Sequence, residues 1–159
     1  MILSDPCTGD ALLCTGDTPW AAAIREATHS PYSHVAAIIA LPGLPVLVAE
    51  SIETVGVRAT ALERWAHGGQ IVHARPLGPI DAEGATRWAF AQLGESYNWP
   101  EIGAISVHLL TGADERVPCG EKICSEYVRG LWRAGGYEFS LTSPYCVPGD
   151  IAAHSSPVR

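Results

Sequence analysis

Cys124 stands at the front of "KICSEYVRGLW", residues 122 to 132, just after the turn-forming "VPCGEK". A thiol in the first turn of a helix meets backbone N–H groups that lack intrahelical partners and the positive end of the helix dipole. Both favour a thiolate, and a thiolate is a competent nucleophile. A plainer role competes with this one. Cys124, Tyr127, Val128, Leu131 and Trp132 recur at helical spacing, so the cysteine shares an apolar stripe, and free cysteine is among the most buried residue types. The opposite face carries Glu126, Arg129 and Arg133.

A thiol nucleophile needs a base, and histidine suits neutral pH. Six are available: His29, His34, His67, His73, His108 and His154. His34 stands apart because it lies between the polar "SPYS" and the apolar "VAAII", the position of a strand start at a sheet's rim. Two β-branched runs, "SPYSHVAAIIA" and "PVLVAES", flank "LPGLP", which predicts an antiparallel hairpin. Side chains alternate along a strand. An even register therefore sets Glu50 or Ile52 on the face of His34, and an odd one offers Ser51 or Glu53. Glu50 in that place would orient the imidazole and stabilise its charged form, the third role of a catalytic triad.

The elements that must hold these groups follow from local signals. "GDALLCTGD" reads as a short strand between turns. "TPWAAAIREAT" reads as a helix with Asp17 or Thr18 as cap, Pro19 in its first turn, and Trp20, Ala23, Ile24 and Ala27 at helical spacing. "TALERW" has Thr60 and Glu63 at capping-box spacing and predicts a short helix ending near Gly68 and Gly69. "QIVHARP" predicts a strand, and "DAEGATRWAFAQLG" a helix capped by Asp81 and stopped at Gly94. A loop and an apolar helix follow in "ESYNWPEIGAISVHLLTG", then the helix that begins at Cys124. The tail "SPYCVPGDIAAHSSPVR" is rich in Pro and Ser and is expected to wrap the surface. The sum is one α+β domain over residues 1–159.

Composition narrows the function. The chain has 159 residues, 47% of them apolar and 17% charged, which describes a globular domain with a real core. A net charge of −7 without a basic cluster excludes phosphate-backbone recognition, so nucleic acid is not an expected partner. "VAAIIAL" is too short to span a bilayer, and no transmembrane segment is expected. "MILSDPCTGD" lacks the features of a secretory leader, which sets a cytoplasmic location as the default. Five cysteines do not pair completely and suit a reducing compartment. The spacings of Cys7 to Cys14 and Cys119 to Cys124 are not those of zinc knuckles, and "TGDTPW" and "AGGYEF" are not phosphate loops. No metal or cofactor is called for.

The blocks "YSHVAAII", "VLVAES…VGVRATALERW", "LGESYNWPEIG" and "KICSEYVRGLWRAGG…SPYCVPGDI" together resemble the circularly permuted NlpC-type, papain-like cysteine hydrolases, a group that includes the YiiX-like proteins. The resemblance runs from about residue 9 to residue 151, in the order of the blocks. It implies a permuted papain-like α+β fold, an antiparallel sheet or small barrel packed against helices. It also implies Cys124 as nucleophile, His34 as base and Glu50 as the orienting group, with Tyr97 lining the cleft. Family members tend to write that last segment Gly-x-Pro-Tyr-Asp; here Ser96 and Asn98 depart from the pattern.

The implied chemistry is acyl transfer through a thioester, with the Cys124 backbone N–H in the oxyanion hole and Tyr97 or Tyr32 as the second donor. The expected substrate is a small peptide-like amide, including cell-wall peptide. Reaching a cell wall would require lysis, a phage or a secretion machine. Three other readings compete: a lipid acyltransferase or esterase on the same fold, a binding module with an idle thiol, and a redox protein in which Cys119 resolves a sulfenic acid.

Overall fold

β1 (Ala11–Cys14) and β2 (His34–Ile39) form the centre of a six-stranded antiparallel sheet. Its other strands are β3 (Leu47–Ile52), β4 (Gly56–Ala61), β5 (Ile71–Pro76) and β6 (Ser155–Pro157), in the spatial order β4-β3-β2-β1-β5-β6. The sheet is open, not a closed barrel. The structure, a computed structural model, describes residues 3–111, 123–141 and 143–159. Among these residues are five helices: α1 (Pro19–Ala27), α2 (Ala82–Ala91), α3 (Trp99–Thr111), α4 (Cys124–Ala134) and α5 (Pro148–Ala153).

Every residue of β2 is buried, which explains its nearly continuous apolar run: a strand covered on both faces has no polar side to write. One face carries Leu13, Val35, Ala37, Ile39 and Ala49, packed against Tyr127, Val128, Leu131 and Trp132 of α4 and Ala85 and Ala89 of α2. The other carries Leu12, Cys14, Ala36, Ile38 and Val48 under Trp65 and Leu62. The stripe read along α4 is thus the centre of the larger core. Trp132 fixes its depth by donating its indole N–H to the Gly9 carbonyl at 2.7 Å.

The predicted caps hold at two helices. Thr18 accepts from the Ala21 N–H to start α1, and Asp81 accepts from the Glu83 and Gly84 N–H groups to start α2. Two local readings fail. "TALERW" contributes no helix: Thr60 lies in β4 opposite Val48, and residues 62–64 form a turn. β3 presents an open edge, and six residue pairs with Gly56–Ala61 outweigh the capping-box signal. The tail does not merely wrap the surface either. Cys146 and Ile151 are fully buried, α5 packs against α4, and β6 extends the sheet beside β5. Apolar burial of those two side chains overrides a Pro- and Ser-rich composition.

A backbone clip joins the far side of the sheet to the connection before α3. The Val57 N–H donates to the Glu95 carbonyl at 2.8 Å and the Gly94 N–H to the Val57 carbonyl at 2.9 Å. Gly56 makes this possible. Its φ of +82° suits glycine, and a Cβ there would stand 2.0 Å from the Glu95 oxygen. Among the described residues no helix is long and apolar enough to cross a membrane.

Candidate active site

Cys124 is the first residue of α4, after Ile123 in extended conformation (φ −80°, ψ 168°) as N-cap. Isoleucine has no side-chain acceptor, so no side chain caps this helix, and the first-turn N–H groups are not consumed by one. Cys124 is 7% exposed, and that small exposure opens onto a cavity. Beside it, the Ser125 hydroxyl donates to the Cys146 carbonyl at 2.7 Å and ties α4 to the segment before α5. Cys124 belongs to the core cluster and also lines the cavity.

His34 begins β2, as its sequence context predicts. Strand alternation sets it on the face opposite α4, yet it lies at the strand's start, where a group from the α4 side can reach it. Cys124 is near enough to this ring to favour its charged form, and both residues line one cavity. The Nε2 atom lies 2.8 Å from Glu50 Oε2. The imidazole also stacks on His67, with ring centroids 4.9 Å apart and planes 11° from parallel. Burial opposes charge on His34, but Cys124 and Glu50 outweigh it and raise its pKa to about 10.

Glu50 reaches His34 through the even register of the hairpin, in which Ala37 pairs with Ala49 and Ile39 with Leu47. Its side chain is 1% exposed. The second oxygen, Oε1, accepts from Arg58 Nε at 3.0 Å, Arg58 Nη2 at 2.7 Å and Trp65 Nε1 at 3.0 Å. Burial raises the pKa of this carboxyl; His34 and Arg58 more than reverse that and lower it to about 2. Burial holds His67 below the usual histidine range, so a neutral ring covers the charged one.

Arg58, Trp65 and His67 were not singled out by sequence reasoning. Arg58 lies directly opposite Glu50 across β3 and β4 and would have been found had β4 been recognised as a strand. Trp65 and His67 follow from the irregular turn after it, for which the sequence offers no comparable signal. Tyr97 lines the cavity with Cys124 and His34. Tyr32 lies elsewhere, half-buried against the core on the α4 side. Asn98 is buried and Ser96 exposed. Cys119 falls outside the described residues, and its pairing with Cys124 lies outside them as well.

The cavity beside Cys124 measures about 370 Å³, within the usual range for small-molecule sites of about 300–1,000 Å³. A second, more open hollow of about 660 Å³ shares His34 but not Cys124. Among the described residues, burial pushes the thiols of Cys14 and Cys146 well above the ordinary range, while Cys7 is exposed.

A crystal structure of the metalloprotein yiiX from Escherichia coli O157:H7, a DUF1105 protein, superimposes on this chain with a TM-score of 0.61 and 26% sequence identity. The match covers 83% of this chain and 67% of that one. The fold is YiiX-like. No family model matches the sequence, and no curated protein matches it either. Among the described residues of this YiiX-like chain, no group of three or more His, Cys, Asp or Glu side chains could hold a metal ion.

Proposed function

We propose that this YiiX-like chain is a thiol-dependent hydrolase of the circularly permuted papain-like kind, acting on an amide or ester through a thioester. The observation that carries the reading is the sequence of contacts from Cys124 through His34 to a Glu50 that is itself held by Arg58 and Trp65. A merely structural buried histidine needs one partner. Here the imidazole is stacked, is oriented at one nitrogen by a carboxylate, and shares a cavity with a thiol.

With the proton of the pair already on His34, the Cys124 sulfur attacks the substrate carbonyl. The oxyanion that forms is met by N–H groups at the start of α4, where no side-chain cap competes for them. The C–N or C–O bond then breaks as His34 returns the proton to the departing nitrogen or oxygen. Water adds to the thioester with His34 as base, the acid leaves, and the thiol is restored. Glu50 keeps the ring aimed throughout and supports its positive charge. Tyr97 shapes the cleft wall.

The test is alkylation by iodoacetamide over a pH series, mapped by mass spectrometry. Cys124 is expected to react near pH 6, ahead of Cys14 and Cys146, and to lose that advantage in His34→Ala, while exposed Cys7 serves as reference in both proteins. An inert Cys124 in the folded parent, or one indifferent to His34, would sink the reading and leave a binding module.

A further inference from the structure

Residues 65–70 belong to no helix or strand, yet they are fixed against the connection from β1 to α1. The Thr15 N–H donates to the Gln70 carbonyl at 3.0 Å, and the Gln70 N–H donates to Thr15 Oγ1 at 2.9 Å. Two glycines allow the close approach: a Cβ at Gly68 would strike the Asp17 carboxylate, and one at Gly69, whose φ is +78°, would strike the Thr15 hydroxyl. That connection leaves β1 at Cys14, the strand partner of His34. His67 is thereby delivered to the His34 ring.

A closed circuit results. Glu50 lies 2.8 Å from His34 Nε2 and accepts from Trp65 Nε1, while the His67 ring stacks on both, its centroid 4.9 Å from that of His34 and 6.0 Å from that of Trp65. A carboxylate holds His34 at one edge only, and a ring laid on its face removes the remaining tilt. His67 is oriented in turn, because its Nδ1–H donates to the Gly68 carbonyl at 2.9 Å. In the neutral ring Nε2 then carries the lone pair and is the atom that gains a proton in acid. His67 is half-buried and lines the more open hollow beside His34, so protons from solvent reach it. The charged and titratable groups around it are His34 on β2, Glu50 on β3, Glu53 after that strand, Arg58 on β4 and Asp17 before α1. Burial and the His34 charge oppose a charge on His67 more strongly than the Gly68 carbonyl, Glu50 and Asp17 favour one.

We propose that His67 is a positioning residue for His34: its neutral ring keeps the imidazole flat in the frame of Glu50 and Trp65, and its protonation sets two cations face to face and releases that frame in acid. This rests on the thiol hydrolase reading above. A phenyl ring would stack as well, but only histidine adds a charge that acid can switch on. Once His34 leaves the frame, the Cys124 thiolate loses its cationic partner, takes up a proton and ceases to react.

The experiment follows Cys124 alkylation by iodoacetamide from about pH 4 to about pH 8 in the parent, His67→Ala and His67→Phe, with imidazole nitrogen NMR spectra of the parent over the same range. In the parent, His67 is expected to show a protonated Nδ1 and a bare Nε2 at neutral pH, and the acid limb of alkylation is expected to share the midpoint of its titration, below about 6.5. His67→Ala, which loses both stack and charge, should react roughly 10- to 100-fold more slowly at neutral pH, the scale of a misplaced reacting group. His67→Phe, which keeps the stack and cannot titrate, should recover most of that rate and carry the acid limb about one unit lower. A ring with a merely structural role would leave the limb where it is. His67→Ala as fast as the parent, or an unmoved limb in His67→Phe, would overturn the inference and leave the hydrolase reading intact; where His67→Ala does not fold, the phenylalanine variant decides alone. A Cys124 inert in the parent would defeat the hydrolase reading instead, and the NMR titration of the parent and His34→Ala then judges the stack separately. A His67 midpoint that rises when His34 is removed supports the coupling of the two rings, and an unmoved midpoint refutes it.

Discussion

An enclosed carboxylate is stable in its charged form only when donors surround it, and Glu50 has the His34 ring on one oxygen and three N–H groups from Arg58 and Trp65 on the other. Removing the charge while keeping the shape leaves Arg58 and His34 facing a neutral amide. Glu50→Gln is expected to lose about 3–5 kcal/mol of stability, the usual consequence of breaking a buried pair. The sign of its pH dependence follows from the two shifts. Glu50, lowered from 4.5 to about 2, contributes fully above pH 4.5 and loses that contribution as the pH falls through about 2. His34, raised from 6.5 to about 10, contributes fully below pH 6.5 and loses its share as the pH rises through about 10. Urea denaturation should therefore show the largest gap between parent and variant from pH 4.5 to 6.5, narrowing toward acid as the parent protonates Glu50. A gap that stays constant as the pH falls below that window would assign the loss to packing instead.

At the scale of elements, α4 carries Cys124, and its seat on α2 depends on the absence of one methyl group. A Cβ at Gly130 would lie 2.5 Å from the Trp88 ring. Intrinsic propensity favours Ala over Gly in a helix by about 1 kcal/mol, yet Gly130→Ala should lower the melting temperature and slow Cys124 alkylation, because α4 must shift away from α2. Trp88→Leu in the same chain should restore part of both; a Gly130→Ala variant as stable as the parent would refute the packing argument. How legible these elements were depended on whether local and distant forces agreed. The stripe on α4, the Thr18 and Asp81 caps and the hairpin from β2 to β3 agreed, and with them came His34 and the even register that brings Glu50 to it. "VGVRATALERW" did not agree. Its capping-box spacing spoke for a helix, while the open edge of β3 enforced a strand, and Arg58 and Trp65 were lost to view with it. Cys146 and Ile151 were hidden for a similar reason, since a Pro-rich tail gives no periodicity from which burial could be read.

For the whole molecule, an α+β architecture in which the histidine strand precedes the cysteine helix was legible from block order. The open sheet was not separable from a small barrel, because closure is decided by edge strands that the local patterns left undefined. Those edges have a further consequence. An unpaired strand edge is a template for another chain. Here one edge is β6, three residues long and carrying Pro157, and proline removes a donor. At the other, the start of β4 is occupied by the clip to Gly94 and Glu95. Gly56→Val would force open that clip, through both its positive φ and the contact with the Glu95 oxygen. Light scattering on concentrated samples is then expected to show aggregation by the variant and none by the parent. The glycine that lets β4 approach the segment before α3 is, in this sense, also a guard against amyloid-like pairing between molecules.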